Sequence, residues 1–173
     1  MIKRLDFLGD SKKYYHKQDH IASCGTKAMQ KIILYKKGIE VPESDLIRIA
    51  NTSRKGTPIA SMLRIADKFD LHYFLKHNSS ISDLINSIDK GNPAVLSTQD
   101  WPNKKVKDWS IETAFGHYLD IFGYDTKEEK IYYYDSYQGK IKTIRYGKLD
   151  TMWHDVDFKT GEVFDHFAIF FSD

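Results

Sequence analysis

The chain contains one cysteine, Cys24, set between a serine and a glycine in "QDHIASCGTKAMQKIILYKKG", residues 18–38. A helical pattern begins at this point. A thiol there feels roughly half a positive charge from the aligned peptide dipoles, which favours the thiolate and hence nucleophilic chemistry. Gly25 adds no side-chain bulk, so a substrate backbone is expected to approach beside it. The opposing reading is plain packing, because free cysteines are often buried as small hydrophobes.

A thiol nucleophile needs a base, and the base needs an orienting group. Of seven histidines, His117 is the candidate base, because it follows Gly116 and opens the apolar strand "GHYLDIFGYD". Asp135 ends the next strand, "KIYYYD". A hairpin turning through "DTKEEK", centred near residue 126, pairs positions summing to about 252, and 117 + 135 = 252. That register places His117 and Asp135 side by side, where the carboxylate would hold the imidazole tautomer. Gln18 lies six residues before Cys24 (24 − 18 = 6), and its amide is a candidate donor to a developing oxyanion together with the Cys24 N–H.

A rival set is His16, His20 and Cys24, which repeat every four residues and would share a zinc-binding face on one continuous helix. The Ser23-Cys24-Gly25 boundary breaks that face, and no fourth ligand stands nearby. Trp101 and Trp109 lie in a polar loop before the histidine strand, either walling a groove or packing locally. The run Tyr132–Tyr134 reads as sheet packing.

The elements that must position these residues fall into two halves. Before about residue 92 the pattern is helical. The first helix spans Cys24 to about Lys37 and stops at Gly38, and the second follows Pro42 with Leu46, Ile49 and Ala50 inward. The third takes Thr57 as N-cap and Pro58 as first residue. A short strand, Leu71 to Leu75, precedes a fourth helix capped by Ser80 and Asp83. From about residue 93 the chain alternates short strands and turns: "AVLS", the His117 and Asp135 strands, "KIKTIRY" and "HFAIFF". Helices first and an antiparallel sheet second give an α+β class, read as a single domain with a helical lobe (about 15–92) and a β-sheet lobe (about 93–173).

The ordered set of Gln18, Cys24-Gly25, Gly116-His117 and Asp135 resembles the papain-like cysteine peptidases. The segments "SCGTKAMQKIILYKKG", "GTPIASMLRIADKFDL", "NPAVLS", "GHYLDIFGYD" and "YYYDSYQGK" are similar in order and spacing to the branch that processes bacteriocin precursors at double-glycine leaders. The resemblance implies a papain-like fold, Cys24 as nucleophile, His117 as general base and then acid, Asp135 as its orienting group, and Gln18 in the oxyanion hole. Two positions depart from that branch. Ser23 replaces the acidic residue common before the cysteine, and Ser136 replaces the proline common after the aspartate. The same thiol chemistry also serves acyl transfer, and a peptide-binding module without catalysis is the third alternative.

Bulk composition sets the surroundings. With 26 Lys+Arg against 24 Asp+Glu, the net charge is +2, which gives no electrostatic reason to expect a nucleic-acid partner. One cysteine excludes an intramolecular disulfide and points to a reducing compartment. The N-terminal residues lack the apolar stretch of about 7–15 residues that a signal peptide requires. No run approaches the ~18 apolar residues of a membrane span. The expectation is a cytoplasmic enzyme without metal or cofactor that acts on a peptide or protein substrate.

Overall fold

The computed structural model describes residues 1–6, 17–100 and 105–173, so His16 and Trp101 lie outside the described residues. Helix α1 (Cys24–Lys37) has the bounds its apolar spacing predicts. Its inward residues Ala28, Met29, Ile32 and Ile33 are fully buried. Gly38 ends it with φ 66°, a left-handed conformation suited to glycine, and its N–H bonds the Leu34 carbonyl. Helices α2 (Glu43–Ala50) and α3 (Ile59–Lys68) close around α1 through Leu46, Ala50, Met62 and Ile65.

The third helix starts one residue later than expected. Pro58, not Thr57, holds the N-cap position. Thr57 is committed elsewhere: its hydroxyl pairs with that of Thr52 at 2.9 Å, and its carbonyl accepts from the Tyr118 hydroxyl at 2.9 Å. Strand β2 (His72–Lys76) and helix α4 (Ile81–Asp89) follow. The Ser80–Asp83 capping box is present. Asp83 N–H donates to Ser80 Oγ at 3.2 Å and Ser80 N–H to Asp83 Oδ2 at 2.8 Å.

The chain then builds a sheet from β3 (Ala94–Gln99), β4 (Gly116–Asp125), β5 (Lys130–Asp135) and β6 (Lys140–Arg145). After helix α5 (Tyr146–Met152) and a small ribbon, β7 (His154–Val156) and β8 (Val163–Asp165), the last strand β9 (Ala168–Ser172) inserts between β2 and β3. The order is β2-β9-β3-β4-β5-β6, all antiparallel, and β1 (Ile2–Arg4) pairs with the far end of β4. Side chains alternate between two cores. Val95, Phe122, Ile169 and Phe171 face α1–α3, whereas Leu96, Leu119, Ile121 and Phe170 face Leu84 and Ile88 of α4 and Leu149 of α5.

Helices therefore cover both faces of the sheet. The segment before residue 92 contributes an edge strand and a helix to the sheet half, which composition by halves does not reveal. Helix α5 went unforeseen because "YGKLDTM" carries a glycine and buries only Leu149 and Met152. Strands β1, β7 and β8 are three residues each, too short for alternation to register. Among the described residues, no helix is long and apolar enough to cross a membrane.

Candidate active site

Cys24 is the first residue of α1 and is 7% exposed. The segment before it is held by a buried carboxylate that sequence reasoning missed. Glu43, at the start of α2, accepts from the Ser23 hydroxyl at 2.6 Å and from the Asp19 N–H at 3.1 and 3.2 Å. It also pairs with Lys27 Nζ at 3.1 Å, both side chains being nearly inaccessible. Ser23, the first of the two departures, thus hands its hydroxyl to an acid on the neighbouring helix. Position 43 follows a proline in an ordinary first helical turn, so no local signal marked it.

Gln18 is tied into the same segment. Its amide nitrogen donates to the carbonyls of His20 at 2.7 Å and Ile21 at 2.8 Å. Its amide oxygen accepts from the Ser136 hydroxyl at 2.8 Å, and its backbone N–H donates to the Ser136 carbonyl at 2.8 Å. Ser136, the second departure, therefore anchors the Cys24 approach to the end of β5. Gly25 serves packing, not substrate approach: a Cβ there would lie 2.9 Å from Thr57 Cβ and 3.1 Å from both Met62 Sδ and Tyr118 Cε2. Helix α1 begins at Cys24, and His20 lies in the exposed turn before it, so the two do not share a helical face. Among the described residues no group of three or more His, Cys, Asp or Glu forms a cation site.

His117 is buried on β4, with its ring between the Cys24 side chain and the Asp135 carboxylate. Its Nε2 stands 3.6 Å from Asp135 Oδ1, which leaves Nδ1 as the nitrogen for the sulfur. The hairpin register differs from the expected sum of 252. Tyr124 pairs with Ile131 and Asp125 with Lys130, sums of 255 (124 + 131 and 125 + 130). Beyond a bulge at Phe122, Ile121 pairs with Tyr133 and Asp120 with Tyr134, sums of 254 (121 + 133 and 120 + 134). One step further, Asp135 lies opposite Leu119 (254 − 135 = 119), diagonal to His117 on the same face. Without the bulge it would lie opposite residue 120 and face away, because a one-residue slip reverses every side chain.

Burial alone would lower the His117 pKa, but Asp135 and Cys24 outweigh it and push it up to about 10. Burial opposes ionisation of Asp135 too, yet His117 and Lys142, at 3.1 Å, bring its pKa down to about 2. Backbone N–H groups of Tyr137 at 3.0 Å and Gln138 at 3.2 Å also bind its Oδ1. Asp100, just past β3, is a further carboxyl near the pair; burial raises its pKa while His117 and Lys142 oppose the shift.

A cavity of about 340 Å³ opens beside Cys24, walled by Ile21, Gly56, Tyr118, Phe158 and the β7 residues Asp155 and Val156. The space over Gly116 is occupied, not open: both Asp155 carboxylate oxygens would lie 2.9 Å from a Cβ there. Trp109 packs half-buried with its ring edge-on to Phe115, at a centroid distance of 6.3 Å, outside the cavity wall. Beneath the site, Lys31 and Asp120 are buried between α1 and β4. Burial brings the Lys31 pKa down to about 7 and the Asp120 pKa up to about 7.

Comparison with known proteins fits this arrangement. The peptidase domain of Streptococcus ComA superposes with a TM-score of 0.65 at 16% identity, over 91% of this chain and 96% of that one. A putative C39-like peptidase from Bacillus anthracis gives 0.65 at 16% identity, over 91% and 93%. A double glycine motif protease from an AMS/PCAT transporter, solved in complex with the leader peptide, gives 0.62 at 17% identity, over 91% and 89%. These likenesses establish the papain-like peptidase fold. No curated protein matches the chain. Over residues 11–159 the sequence itself matches a described family, and with a helix-borne cysteine facing a strand-borne histidine on that fold, the chain belongs to the Peptidase_C39 like family.

Proposed function

We propose that this cysteine peptidase-like protein hydrolyses a peptide bond through Cys24, His117 and Asp135. The observation carrying the proposal is the buried His117 ring, set between the Asp135 carboxylate and the side chain of Cys24, which lines the cavity. Cys24 passes its proton to His117, and the thiolate attacks the scissile carbonyl carbon. The oxyanion is received at the start of α1, where the Cys24 N–H has no intrahelical carbonyl to bond. Gln18 supplies the second donor by exchanging one of its two resting bonds, to His20 or Ile21, for the oxyanion. His117 then protonates the leaving amine, and the acyl group stays on sulfur as a thioester. Water, deprotonated by His117, attacks the thioester and releases the acid and the free thiol. Asp135 holds Nε2 throughout and stabilises the charged ring.

A peptide substrate fits both the cavity and the leader peptide bound by the structural relative. The test is turnover of a peptide library by the intact chain and by Cys24→Ala and His117→Ala. Each variant should lose at least about 10³-fold in kcat/KM. At pH 6, iodoacetamide should alkylate Cys24 at least about fivefold faster than a free cysteine peptide, because only a thiolate reacts. Unchanged turnover in either variant, or alkylation at the rate of the free peptide, contradicts the proposal.

A further inference from the structure

We infer that the cavity beside Cys24 is a subsite for a cationic side chain, Lys or Arg, of a peptide substrate, with Asp155 as the residue that selects it. The inference rests on the peptidase reading for its setting, but its core is a charge without a counter-charge. Asp155 takes hydrogen bonds from neutral donors: Ser97 Oγ to Oδ2 at 2.7 Å, and Gln99 Nε2 at 2.7 Å and Val156 N–H at 2.8 Å to Oδ1. A carboxylate offers roughly four acceptor sites, so three donors leave one direction open. Among the described residues, no Lys, Arg or His forms an ion pair with it. His154, beside it in the chain, is the titratable group whose charge most favours the ionised form, and its Nε2 already contacts the Glu112 carbonyl at 2.9 Å.

A desolvated carboxylate without a cation is unfavourable, and it gains most from a ligand that brings one. Burial accordingly pushes the Asp155 pKa above the ordinary carboxylate value. The cavity that this carboxylate faces is shared with Cys24, so its occupant is a residue close to the scissile bond. Its volume of about 340 Å³ falls in the range of small-ligand sites, ~300–1,000 Å³. Ile21, Val156 and Phe158 supply apolar wall for the methylene stem, the part of Lys or Arg that packs while its head group stays polar. Among the described residues that line this cavity, Asp155 is the one carboxylate. Arg54 and Lys55 also line it, but they are exposed at the rim, where solvent screens them.

The same bonds explain why the group is rigid. Gln99, which donates to Asp155, receives the Phe115 N–H at 2.9 Å, so Asp155 is braced against the strand end that carries His117. A subsite built on paired strands is stiffer than one on a loop.

The experiment scans each position of a fluorogenic peptide with Lys, Arg, norleucine and Glu, using the intact chain. At one position, Lys and Arg should exceed norleucine by about tenfold in kcat/KM, the worth of one charge-assisted hydrogen bond, with Glu poorest. In Asp155→Asn, confirmed as folded by circular dichroism, the Lys-to-norleucine ratio should fall to about twofold or less. In parallel, equilibrium binding of the best Lys peptide and its norleucine counterpart is measured on Cys24→Ala by fluorescence anisotropy. Cleavage with no cationic preference at any position, or a preference undiminished in Asp155→Asn, overturns the subsite. Charge-selective binding without cleavage by the intact chain overturns the catalytic reading and supports the subsite. Absence of both binding and cleavage overturns both.

Discussion

Gln18 shows what a residue's position can and cannot reveal. Its place six residues before Cys24 is readable by counting (24 − 18 = 6), but its partners are not. The carbonyls of His20 and Ile21 and the hydroxyl of Ser136 come to it only through the fold. In the resting state the amide braces the turn ahead of the nucleophile, and in the proposed turnover one of its N–H groups turns from a carbonyl to the oxyanion. Two reactions of the same sulfur separate these duties. Peptide cleavage passes through a tetrahedral oxyanion, whereas alkylation by iodoacetamide does not. Gln18→Ala is expected to lower kcat/KM by about 10²–10³-fold, the usual cost of removing one oxyanion donor. The alkylation rate at Cys24 should change by less than about threefold, because the thiolate and His117 remain. A parallel fall in both rates would assign Gln18 to bracing alone. Gly25 teaches a related lesson: a glycine beside the nucleophile suggests room for a substrate backbone, yet side chains from distant segments pack against it.

Elements place these residues more reliably than counting does. The bounds of α1 and the capping box of α4 were legible because both depend on local sequence: apolar spacing, a terminal glycine, and a serine three residues before an aspartate. The pairing of His117 with Asp135 was legible only in parity. The expected sum of 252 and the observed 254 are both even, so the face is right although the register is off by two. What secures the face is the bulge at Phe122, and nothing in "GHYLDIFGYD" announces it. Glu43 escaped notice for the same reason as Asp155, because its importance lies in partners from another element. Its ion pair with Lys27 joins α2 to α1 at the turn bearing Ser23, and both charges are shut away from water. Removing one member of such a pair leaves the other buried and uncompensated, at a cost of about 3–5 kcal/mol. Glu43→Ala should therefore lower the unfolding free energy by about that amount in a urea titration. The double variant Glu43→Ala with Lys27→Met should recover a large part of the loss, since the stranded ammonium is gone. Equal instability in single and double variants would place the effect in the Ser23 and Asp19 bonds instead.

At the scale of the whole molecule, the site's charges write a pH dependence into stability. The folded-state pKa of His117, about 10, exceeds its ordinary 6.5, so the ring's charged form is favoured by folding. Its contribution is complete below about 6.5 and is lost as pH rises through 10. Asp135 runs the other way: its folded-state pKa of about 2 lies below the ordinary 3.8. Its contribution is complete above about 3.8 and is lost as pH falls through 2. Both are therefore full only between about 3.8 and 6.5. Asp120 and Lys31 titrate in the folded state near 7 and also bend the profile, so the intact chain alone does not isolate the pair. The difference between the intact chain and Asp135→Asn removes what those groups contribute independently of the pair, since neither shift has Asp135 among its causes; the effect of the His117 charge on Asp120 stays in the difference. That difference in thermal midpoint should be roughly 5 °C or more at pH 5, a couple of kcal/mol for a chain of this length. It should be narrower at pH 9, because above about 6.5 a ring without Asp135 is already neutral while the intact chain still holds its proton, and narrower again at pH 3 as the unfolded-state carboxylate takes a proton up. A difference that stays constant between pH 5 and 9 would mean that Asp135 stabilises the fold through Lys142 and its bonds to Tyr137 and Gln138, not through His117.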